Sequence, residues 1–303
     1  ANQNTPTAIG DQRNKLGHLT DVIKAGLIGN LADYRLNDHL GNSVMARDIQ
    51  FRGQNLGYAA TTNETVNYAS AHDGYTLWDS LNAKLPFYTP GRAPATATAF
   101  ERASVQRLIL ATVLVSQGFT FIEGGSEILR SKGGDQDSYD SGDWFNRLDF
   151  TLRSDNWGQG LPPAWKNGGD VSFWAPRLNS IPSPSPADRS DTLNFVESML
   201  RLRARLPHFS LLTGPDIQKH LRFYPDLEKD HPGLIVFSID SPRSILDPKL
   251  VIALNPSLEK VAIRSPFAGR PHRLAPELGG SALPSAFETL SIGARNIGVW
   301  EVQ

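Results

Sequence analysis

Apolar residues recur with the period of an α-helix in three segments of the chain. The first helix is expected from about residue 20 to 34, after a polar stretch of about 18 residues that is expected to be irregular. The second is expected over 100–117, where Gly118 supplies a C-terminal stop, and the third over about 191–205. Each of the three segments therefore predicts a helix of more than three turns.

Two short apolar runs between these helices predict strands. Residues 65–71 form the first strand, which ends at His72-Asp73-Gly74, and residues 119–122 form the second, which runs into Gly124-Gly125. Residues 36–63 are polar with scattered glycine and predict a loop with short strands at most. The order strand, helix, strand is typical of a parallel α/β barrel, whose active site lies at the carboxyl ends of the strands.

From about Lys219 onward the apolar period changes to two, which predicts short strands separated by Pro, Gly and Asp turns. These strands indicate a small antiparallel β-sandwich. The chain is therefore predicted to have two domains, 1–208 and 209–303. The expected strands cover residues 220–224, 234–239, 250–254, 261–263 and 297–302.

A long segment over about 126–188 lies before the last helix, and it contains an acidic and aromatic run at 130–146. The run carries four Asp, one Tyr, one Trp and one Phe, with three Gly that allow sharp turns. Carboxylates accept hydrogen bonds from hydroxyl groups and aromatic rings stack on sugars, so this composition suits a polyhydroxylated ligand. An acidic surface loop and a calcium-binding loop are the alternatives.

Composition excludes several classes of protein. The 303 residues have a formal net charge of −1 with scattered Lys and Arg, so neither nucleic acid nor an acidic membrane is expected as a partner. The chain has no cysteine, which excludes disulfides, iron–sulfur clusters and cysteine-based zinc sites. No apolar run approaches the ~20 residues of a membrane span.

Two motifs together give a family resemblance. Val66-Asn-Tyr-Ala-Ser-Ala-His-Asp73 places His-Asp at a strand end, and Glu127-Ile-Leu-Arg-Ser-Lys132 precedes Asp137-Ser-Tyr-Asp-Ser-Gly-Asp-Trp-Phe-Asn146. This combination resembles the C-terminal part of a pullulanase-type or limit-dextrinase-type debranching enzyme of the α-amylase superfamily. The resemblance covers about residues 20–303, and the run at 137–146 is its most specific motif.

The resemblance implies α/β plus all-β architecture, with the C-terminal part of a (β/α)8 TIM barrel followed by an antiparallel β-sandwich domain. Residues 65–71 and 119–123 match the seventh and eighth barrel strands. The family's nucleophile Asp and general-acid Glu lie on the fourth and fifth strands, which have no counterpart in this chain. The implied parent reaction is retaining hydrolysis of α-1,6 branch linkages in pullulan, limit dextrins and related α-glucans.

The resemblance also assigns site residues. Asp73 matches the family's third carboxylate, which stabilises the transition state, and His72 matches the neighbouring His that binds sugar at the −1 subsite. Asp137 and Tyr139 are expected to contact the sugar beyond the cleavage point, with Gln136 beside them. The alternative for His72-Asp73 is a loop pair that caps the next helix. Gly74 and Gln136 replace a common Asn and Arg, which puts the strength of substrate binding in doubt.

Other side chains of the segment each have two interpretations. Asp140 and Asp143 either contact sugar or hold the loop through backbone N–H groups. The aromatic rings are either sugar platforms or packing over the barrel end. Arg130 and Lys132 are interpreted as charges that position the loop through ion pairs. The aromatic residues concerned are Trp144, Phe145, Trp157, Trp165 and Trp174.

Three hypotheses for function follow. The chain is part of a debranching hydrolase that needs a missing N-terminal barrel segment, or a noncatalytic α-glucan-binding protein, or a half-barrel that pairs with a separate chain. Branched α-glucan or a maltooligosaccharide is the expected partner, and the chain alone is expected to be inactive. No cofactor or metal site is identified from the residues, although the family resemblance leaves calcium as a candidate.

Overall fold

The main core lies between three long helices and one face of an antiparallel sheet. A computed structural model describes residues 9–85, 97–211, 213–280, 285–286 and 288–303 of the chain. Buried aliphatic side chains from the helices and from the sheet strands form one continuous apolar cluster. The predicted boundary between residues 208 and 209 falls within this packing and stays a prediction.

The described part of the chain contains nine α-helices and fourteen strands. The helices are α1 (Ile9–Leu27), α2 (Leu77–Lys84), α3 (Ala99–Leu114), α4 (Asp143–Asn146), α5 (Ala164–Asn167), α6 (Asp170–Ser180), α7 (Pro186–Arg205), α8 (Gly214–His220) and α9 (Pro225–Glu228). The first six strands are β1 (Arg35–Asn37), β2 (Ser43–Met45), β3 (Gln50–Phe51), β4 (Gln54–Asn55), β5 (Val66–Asn67) and β6 (Phe119–Thr120). The loop predicted over 36–63, with short strands at most, is confirmed.

The helix boundaries follow local signals. A capping box between Thr98 and Glu101 starts α3, and a second between Ser185 and Asp188 starts α7 five residues earlier than predicted. The prediction for the first helix is wrong at both ends, because α1 begins at Ile9 and ends at Leu27. Residues 1–8 of the polar stretch lie outside the described residues.

The two strands predicted before and after α3 form a parallel pair. Val66 lies opposite Phe119 and Asn67 opposite Thr120, so the parallel direction is confirmed. Each strand is only two residues long, whereas the sequence predicts four to seven. Strands are extended by pairing with neighbours, and no third strand joins this pair among the described residues.

The C-terminal region is an antiparallel sheet with both faces covered. Its six strands lie in the order β12, β11, β14, β9, β8, β7, and a separate pair, β10 with β13, covers the face opposite the helices. Both faces of β8 and β9 are buried, so these strands are almost continuously apolar. The strands are β7 (Leu221–Phe223), β8 (Ile235–Ile239), β9 (Lys249–Asn255), β10 (Val261–Arg264), β11 (Pro271–Leu274), β12 (Ser285–Ala286), β13 (Thr289–Ile292) and β14 (Asn296–Val302).

The predicted loop at 126–188 has its own small core. It contains α4, α5 and α6, for which no helices were predicted, besides a 3-10 turn at Ser126–Ile128. Trp157 and Trp174 pack on Trp78 of α2 and on Ile181 in a separate buried cluster. These large aromatic residues bury enough apolar area to stabilise a segment that lacks regular strands.

Candidate substrate-binding site

His72 and Asp73 lie on the turn that follows β5, and both side chains point to solvent. Their side chains are 90% and 95% exposed, and His72 Nε2 lies 3.6 Å from Asp73 Oδ2. The turn is made by Gly74, whose φ of +75° is a left-handed conformation that favours glycine. The Gly74 amide donates to the backbone carbonyl of Gln136 at 3.1 Å. The predicted catalytic pair is therefore joined directly to the acidic run.

Lys132 holds the same turn from the other side. Its Nζ donates to the backbone carbonyl of His72 at 2.5 Å and to that of Gly74 at 3.2 Å. Burial lowers the pKa of Lys132 below its usual value, while the Glu123 carboxylate acts in the opposite direction. The sequence analysis assigned Lys132 a role through ion pairs. The structure corrects this, because its hydrogen bonds go to backbone carbonyls.

Asp79 of α2 fixes the chain around Lys132, and the sequence analysis missed it. Its fully buried carboxylate accepts from Ser131 Oγ at 2.5 Å and from the Lys132 amide at 2.8 Å. Its own amide donates to the hydroxyl of Thr76, the N-cap of α2. Burial raises the pKa of Asp79. The signal available in the sequence is Thr76-Leu-Trp-Asp79, in which a threonine that can cap a helix is followed three positions later by a carboxylate, and the sequence analysis predicted no helix there.

Gln136 has its side chain occupied within the protein. Its Nε2 donates to Asp170 Oδ2 at 2.9 Å, and the Tyr75 hydroxyl donates to the same oxygen at 2.8 Å. Tyr75 in turn accepts from Trp174 Nε1 at 3.4 Å. Gln136 was predicted to bind substrate directly. Its Nε2 group ties the acidic run to α6, and the contact with substrate stays a prediction for the Oε1 atom.

Asp137 and Tyr139 are gathered by a lysine from α5. Lys166 Nζ contacts Asp140 Oδ1, lies 3.6 Å from Asp137 Oδ2 and lies 4.1 Å from the centre of the Tyr139 ring. The Tyr139 residue is 83% exposed. Within the described residues, no hydrogen bond or ion pair joins His72 or Asp73 to Asp137 or Tyr139. The two halves of the predicted site are therefore connected through the backbone of residues 72–74, which bonds to Lys132 Nζ and to the Gln136 carbonyl.

The aromatic residues that were candidates for sugar binding differ in burial. Phe145, Trp157 and Trp174 are buried and pack, whereas Trp144 and Trp165 are exposed. Asp140 bonds to Lys166 and not to backbone N–H groups, contrary to one of the two expectations. Gly134 crosses the Trp174 ring so closely that a Cβ would lie 2.3 Å from Trp174 Cδ2. A glycine is therefore required where the acidic run passes over this ring.

Arg130 and Glu123 form a buried pair next to the site. Arg130 Nη1 lies 3.5 Å from Glu123 Oε1, and its Nη2 donates to the carbonyl of Asn146 at 3.1 Å. The expected ion-pair role of Arg130 is therefore confirmed. Burial raises the pKa of Glu123, which follows β6 as His72 follows β5. Sequence analysis missed Glu123 because a single carboxylate between apolar and glycine residues carries no motif.

The described residues contain neither a group of three or more metal-binding side chains nor a helix that could cross a membrane. Among the described residues, no group of three or more His, Cys, Asp or Glu side chains could hold a metal ion. The described residues thus provide no such ligand set for calcium. No helix in the same part of the chain is both long and apolar enough to cross a membrane.

Comparison with protein families identifies the C-terminal half of the chain. Residues 152–295 match the family model described as alpha-1,6-glucosidases, pullulanase-type, C-terminal. The match includes α6, α7 and most of the antiparallel sheet, and it begins after the acidic run at 130–146. The motifs that suggested the family therefore lie outside the matched region, so the two observations are independent.

Known pullulanases match a larger part of the chain. A pullulanase from Klebsiella pneumoniae is 32% identical over 95% of this chain and 26% of its own length. Pullulanase 1, chloroplastic, from Arabidopsis thaliana is 40% identical over 72% of this chain and 22% of its own length. This chain thus spans about a quarter of these relatives.

A solved structure extends the match to the fold. The crystal structure of Klebsiella pneumoniae pullulanase complexed with maltotriose superposes with a TM-score of 0.86 at 31% identity, covering 100% of this chain and 29% of that one. Family model, relatives and fold agree with the motifs at 66–73 and 137–146. The chain belongs to the pullulanase-type α-1,6-glucosidases, to whose C-terminal part it corresponds.

Proposed function

We propose that this chain is the C-terminal part of a debranching hydrolase that cleaves α-1,6 branch linkages in pullulan, limit dextrins and related α-glucans. The observation that carries the proposal is the exposed Asp73 carboxylate on a turn bonded to Lys132 and to the acidic run. The chain supplies this carboxylate and one side of the substrate cleft. The maltotriose in the Klebsiella structure supports the same class of ligand.

The proposed chemistry assigns Asp73 an electrostatic role. Retaining hydrolysis uses a nucleophile and an acid about 5–5.5 Å apart and passes through an oxocarbenium-like transition state. A fixed carboxylate beside the developing positive charge stabilises that state more than the ground state. His72 donates to sugar hydroxyls at the same position, and Asp137 with Tyr139 contacts the neighbouring sugar.

The exposed face of the parallel pair supports the barrel part of the proposal. Val66 and Tyr68 on one side and Phe119 and Phe121 on the other are exposed, and the rings of Tyr68 and Phe121 lie 6.3 Å apart. Two parallel strands do not close a barrel, and large exposed apolar patches mark interaction surfaces. The missing strands, which carry the nucleophile and the acid, would cover this face.

The first test is hydrolysis by the 303-residue chain itself. We expect no release of reducing sugar from pullulan, because the chain lacks a nucleophile and a general acid in the matching positions. Purified chain, free of any longer form, is incubated with pullulan and reducing ends are counted. Hydrolysis above the buffer blank would contradict the proposal that the reaction needs the missing segment.

The second test is Asp73→Asn in a pullulanase-length protein that contains this chain. Loss of the transition-state charge interaction should lower kcat by about a thousandfold, roughly 4 kcal/mol, with an unchanged circular dichroism spectrum. Asp143→Asn, in the acidic run at 130–146, is the control and should change kcat by less than about tenfold. A loss of less than about tenfold for Asp73→Asn would mean that Asp73 is misassigned.

A noncatalytic glucan-binding role is the second candidate. The exposed rings of Tyr139, Trp144 and Trp165 favour it, since such rings stack on sugars. Native mass and stoichiometry separate the hypotheses: a longer chain supports the hydrolase, a complex with a second chain supports the half-barrel, and a stable free monomer that binds maltotriose supports the binding protein.

A further inference from the structure

The position of Asp73 depends on its backbone. Among the described residues, the only ion pair of the His72 and Asp73 side chains is the one between them, and both side chains are almost fully exposed. Within the same residues, neither side chain is anchored by a hydrogen bond to another part of the protein. Their direction is therefore set by the backbone of residues 72–74, in which the carbonyls of His72 and Gly74 belong to the two residues next to Asp73.

Both flanking carbonyls are held by one ammonium group. Lys132 Nζ donates to the carbonyl of His72 at 2.5 Å and to that of Gly74 at 3.2 Å, one on each side of Asp73. The Lys132 residue is only 3% exposed. Hydrogen bonds from a charged donor are stronger than neutral ones, and exclusion of water increases this difference. The Lys132 ammonium group and the carbonyls of His72 and Gly74 thus form a hydrogen-bonded bracket around the residue that carries the proposed catalytic carboxylate.

The base of this bracket is itself rigid. The Lys132 amide and the Ser131 hydroxyl both donate to the buried carboxylate of Asp79. Asp79 lies in the first turn of α2, whose N-cap Thr76 accepts from the Asp79 amide. The ammonium group is therefore delivered to the turn from a fixed helix terminus rather than from a loop. Rigid support of this kind is what a precisely placed catalytic group needs.

Burial lowers the pKa of Lys132, and the surrounding charges act on its ammonium group in both directions. Glu123, Asp79 and Asp135 attract its ammonium group, whereas Arg130 repels it. A lysine has three donors on a flexible stem and can reach two carbonyls that point in different directions. A methionine of similar length fills the same space without donors. Arginine keeps the charge but presents its donors in a plane.

We propose that Lys132 is a positioning residue that sets where the Asp73 carboxylate stands in the substrate cleft. The proposal rests on the proposed function for the role of Asp73, but the bracket itself can be tested without it. Removing the ammonium group should release the turn at residues 72–74 while α2 and the sheet stay folded. The displaced carboxylate should then stabilise the transition state less well.

The bracket is tested by amide hydrogen exchange in the 303-residue chain. In Lys132→Met, exchange of the Gly74 amide, which is bonded to Gln136, should become at least about tenfold faster. Amides of β9 and β14 serve as the internal reference and should not change. Lys166→Met is the matched control, because Lys166 holds the same acidic run without bonding to residues 72–74. Unchanged Gly74 exchange, or equal acceleration in the reference strands, would overturn the proposal.

The catalytic consequence is tested by a double-mutant cycle in the pullulanase-length protein. Lys132→Met should lower kcat by about 10- to 100-fold with KM within about threefold, and Lys132→Arg should restore part of the loss. In a protein that already carries Asp73→Asn, Lys132→Met should lower kcat by a further factor of less than about three, because both substitutions remove the same interaction.

The outcomes of the cycle separate the two proposals. Fully additive losses would mean that Lys132 acts only on folding, which overturns the positioning role while Asp73 keeps its function. If Asp73→Asn alone leaves kcat unchanged, the proposed function fails. In that case accelerated Gly74 exchange would still show the bracket, but Lys132 would position no catalytic group.

Discussion

At the scale of single residues, buried charges hold the irregular parts of this protein in place. Lys132 and Arg203 donate to backbone carbonyls of loops and of a helix end, and Asp79 accepts from one backbone amide and from the Ser131 hydroxyl. A buried charge is costly unless it is paired or fully hydrogen-bonded. Such residues therefore specify one loop conformation, at the cost of sensitivity to any change of their partners.

Asp155 is a buried carboxylate whose charge is only partly compensated. It lies beneath the acidic run, where Arg189 Nη1 is 3.9 Å from its Oδ1 and the Trp157 amide donates at 3.3 Å. Its Oδ2 has no hydrogen-bond partner among the described residues. Burial raises the pKa of Asp155 from 3.8 to about 7, against the opposing effect of Arg189.

This pKa predicts a pH dependence of stability. The folded state holds the Asp155 proton more tightly than the unfolded state does. The resulting contribution to the free energy of unfolding is therefore complete below pH 3.8 and is lost as the pH rises to about 7. Asp155→Asn keeps a neutral group at all pH values. The free energy of unfolding of the variant relative to wild type should therefore rise by roughly 2–3 kcal/mol between pH 5 and pH 8. Urea unfolding at both values measures it, and a difference independent of pH would contradict the assignment.

At the scale of elements, α7 closes the end of α3. Arg203 of α7 donates from Nη1 to the carbonyls of Leu114 and Ser116, and from Nη2 to those of Gly118 and Phe209. The last carbonyls of a helix have no partner within the helix and need one when buried. One guanidinium group thus joins the C-terminus of α3 to the start of β6 and to the chain after α7.

Replacing Arg203 should destabilise the protein strongly. Arg203→Met leaves four buried carbonyls without their donors, so the free energy of unfolding should fall by roughly 3 kcal/mol. Arg201→Met is the matched control on the same helix, where Arg201 forms an exposed ion pair with Glu197. It should cost less than about 1 kcal/mol. Urea denaturation monitored by circular dichroism compares the two, and equal losses would refute the capping role.

The hydrophobic periodicity of the sequence predicted the type of an element well, but it predicted the boundaries of the elements poorly. The second and third helices and the strands around 221–223, 235–239, 249–255, 261–264 and 296–302 are confirmed. β11 and β13 were missed, because Pro271-His-Arg-Leu274 and Thr289-Leu-Ser-Ile292 are short and half polar. They are strands because β14 and β10 offer free edges, and pairing outweighs weak local preference.

At the scale of the whole molecule, one apolar face has no cover among the described residues. Val66, Tyr68, Phe119 and Phe121 are exposed on or next to the parallel pair β5–β6. Exposed strand edges with apolar side chains favour association. The isolated chain is therefore expected to self-associate or to bind hydrophobic dyes through this face.

Polar substitutions on this face should reduce the association. Phe119→Ser combined with Phe121→Ser should lower dye fluorescence and the average mass in light scattering by about half or more, since two large exposed rings are removed. Leu258→Ser, at an exposed turn far from the parallel pair, is the control and should leave both unchanged. Association that persists in the double variant would place the contact elsewhere.

The sequence by itself determined the family, the helices α3 and α7 and five strands of the C-terminal region, whereas the site residues stay predictions. Hydrophobic periodicity indicates which face of a helix or strand is buried. Motifs such as His72-Asp73 and the run at 137–146 indicate chemistry that requires particular residue types in a fixed order along the chain. Both signals are local, so they survive without knowledge of the fold.

Only the tertiary structure decided how the site is held together. Lys132 meets the carbonyl of His72 across 60 positions, Asp79 meets Ser131 across 52, and Gln136 meets Asp170 across 34. Contacts between residues so far apart leave no periodic trace, because any buried donor can satisfy any acceptor that the fold brings near. Motifs therefore predicted the groups that would face the substrate, and packing decided which residues place them.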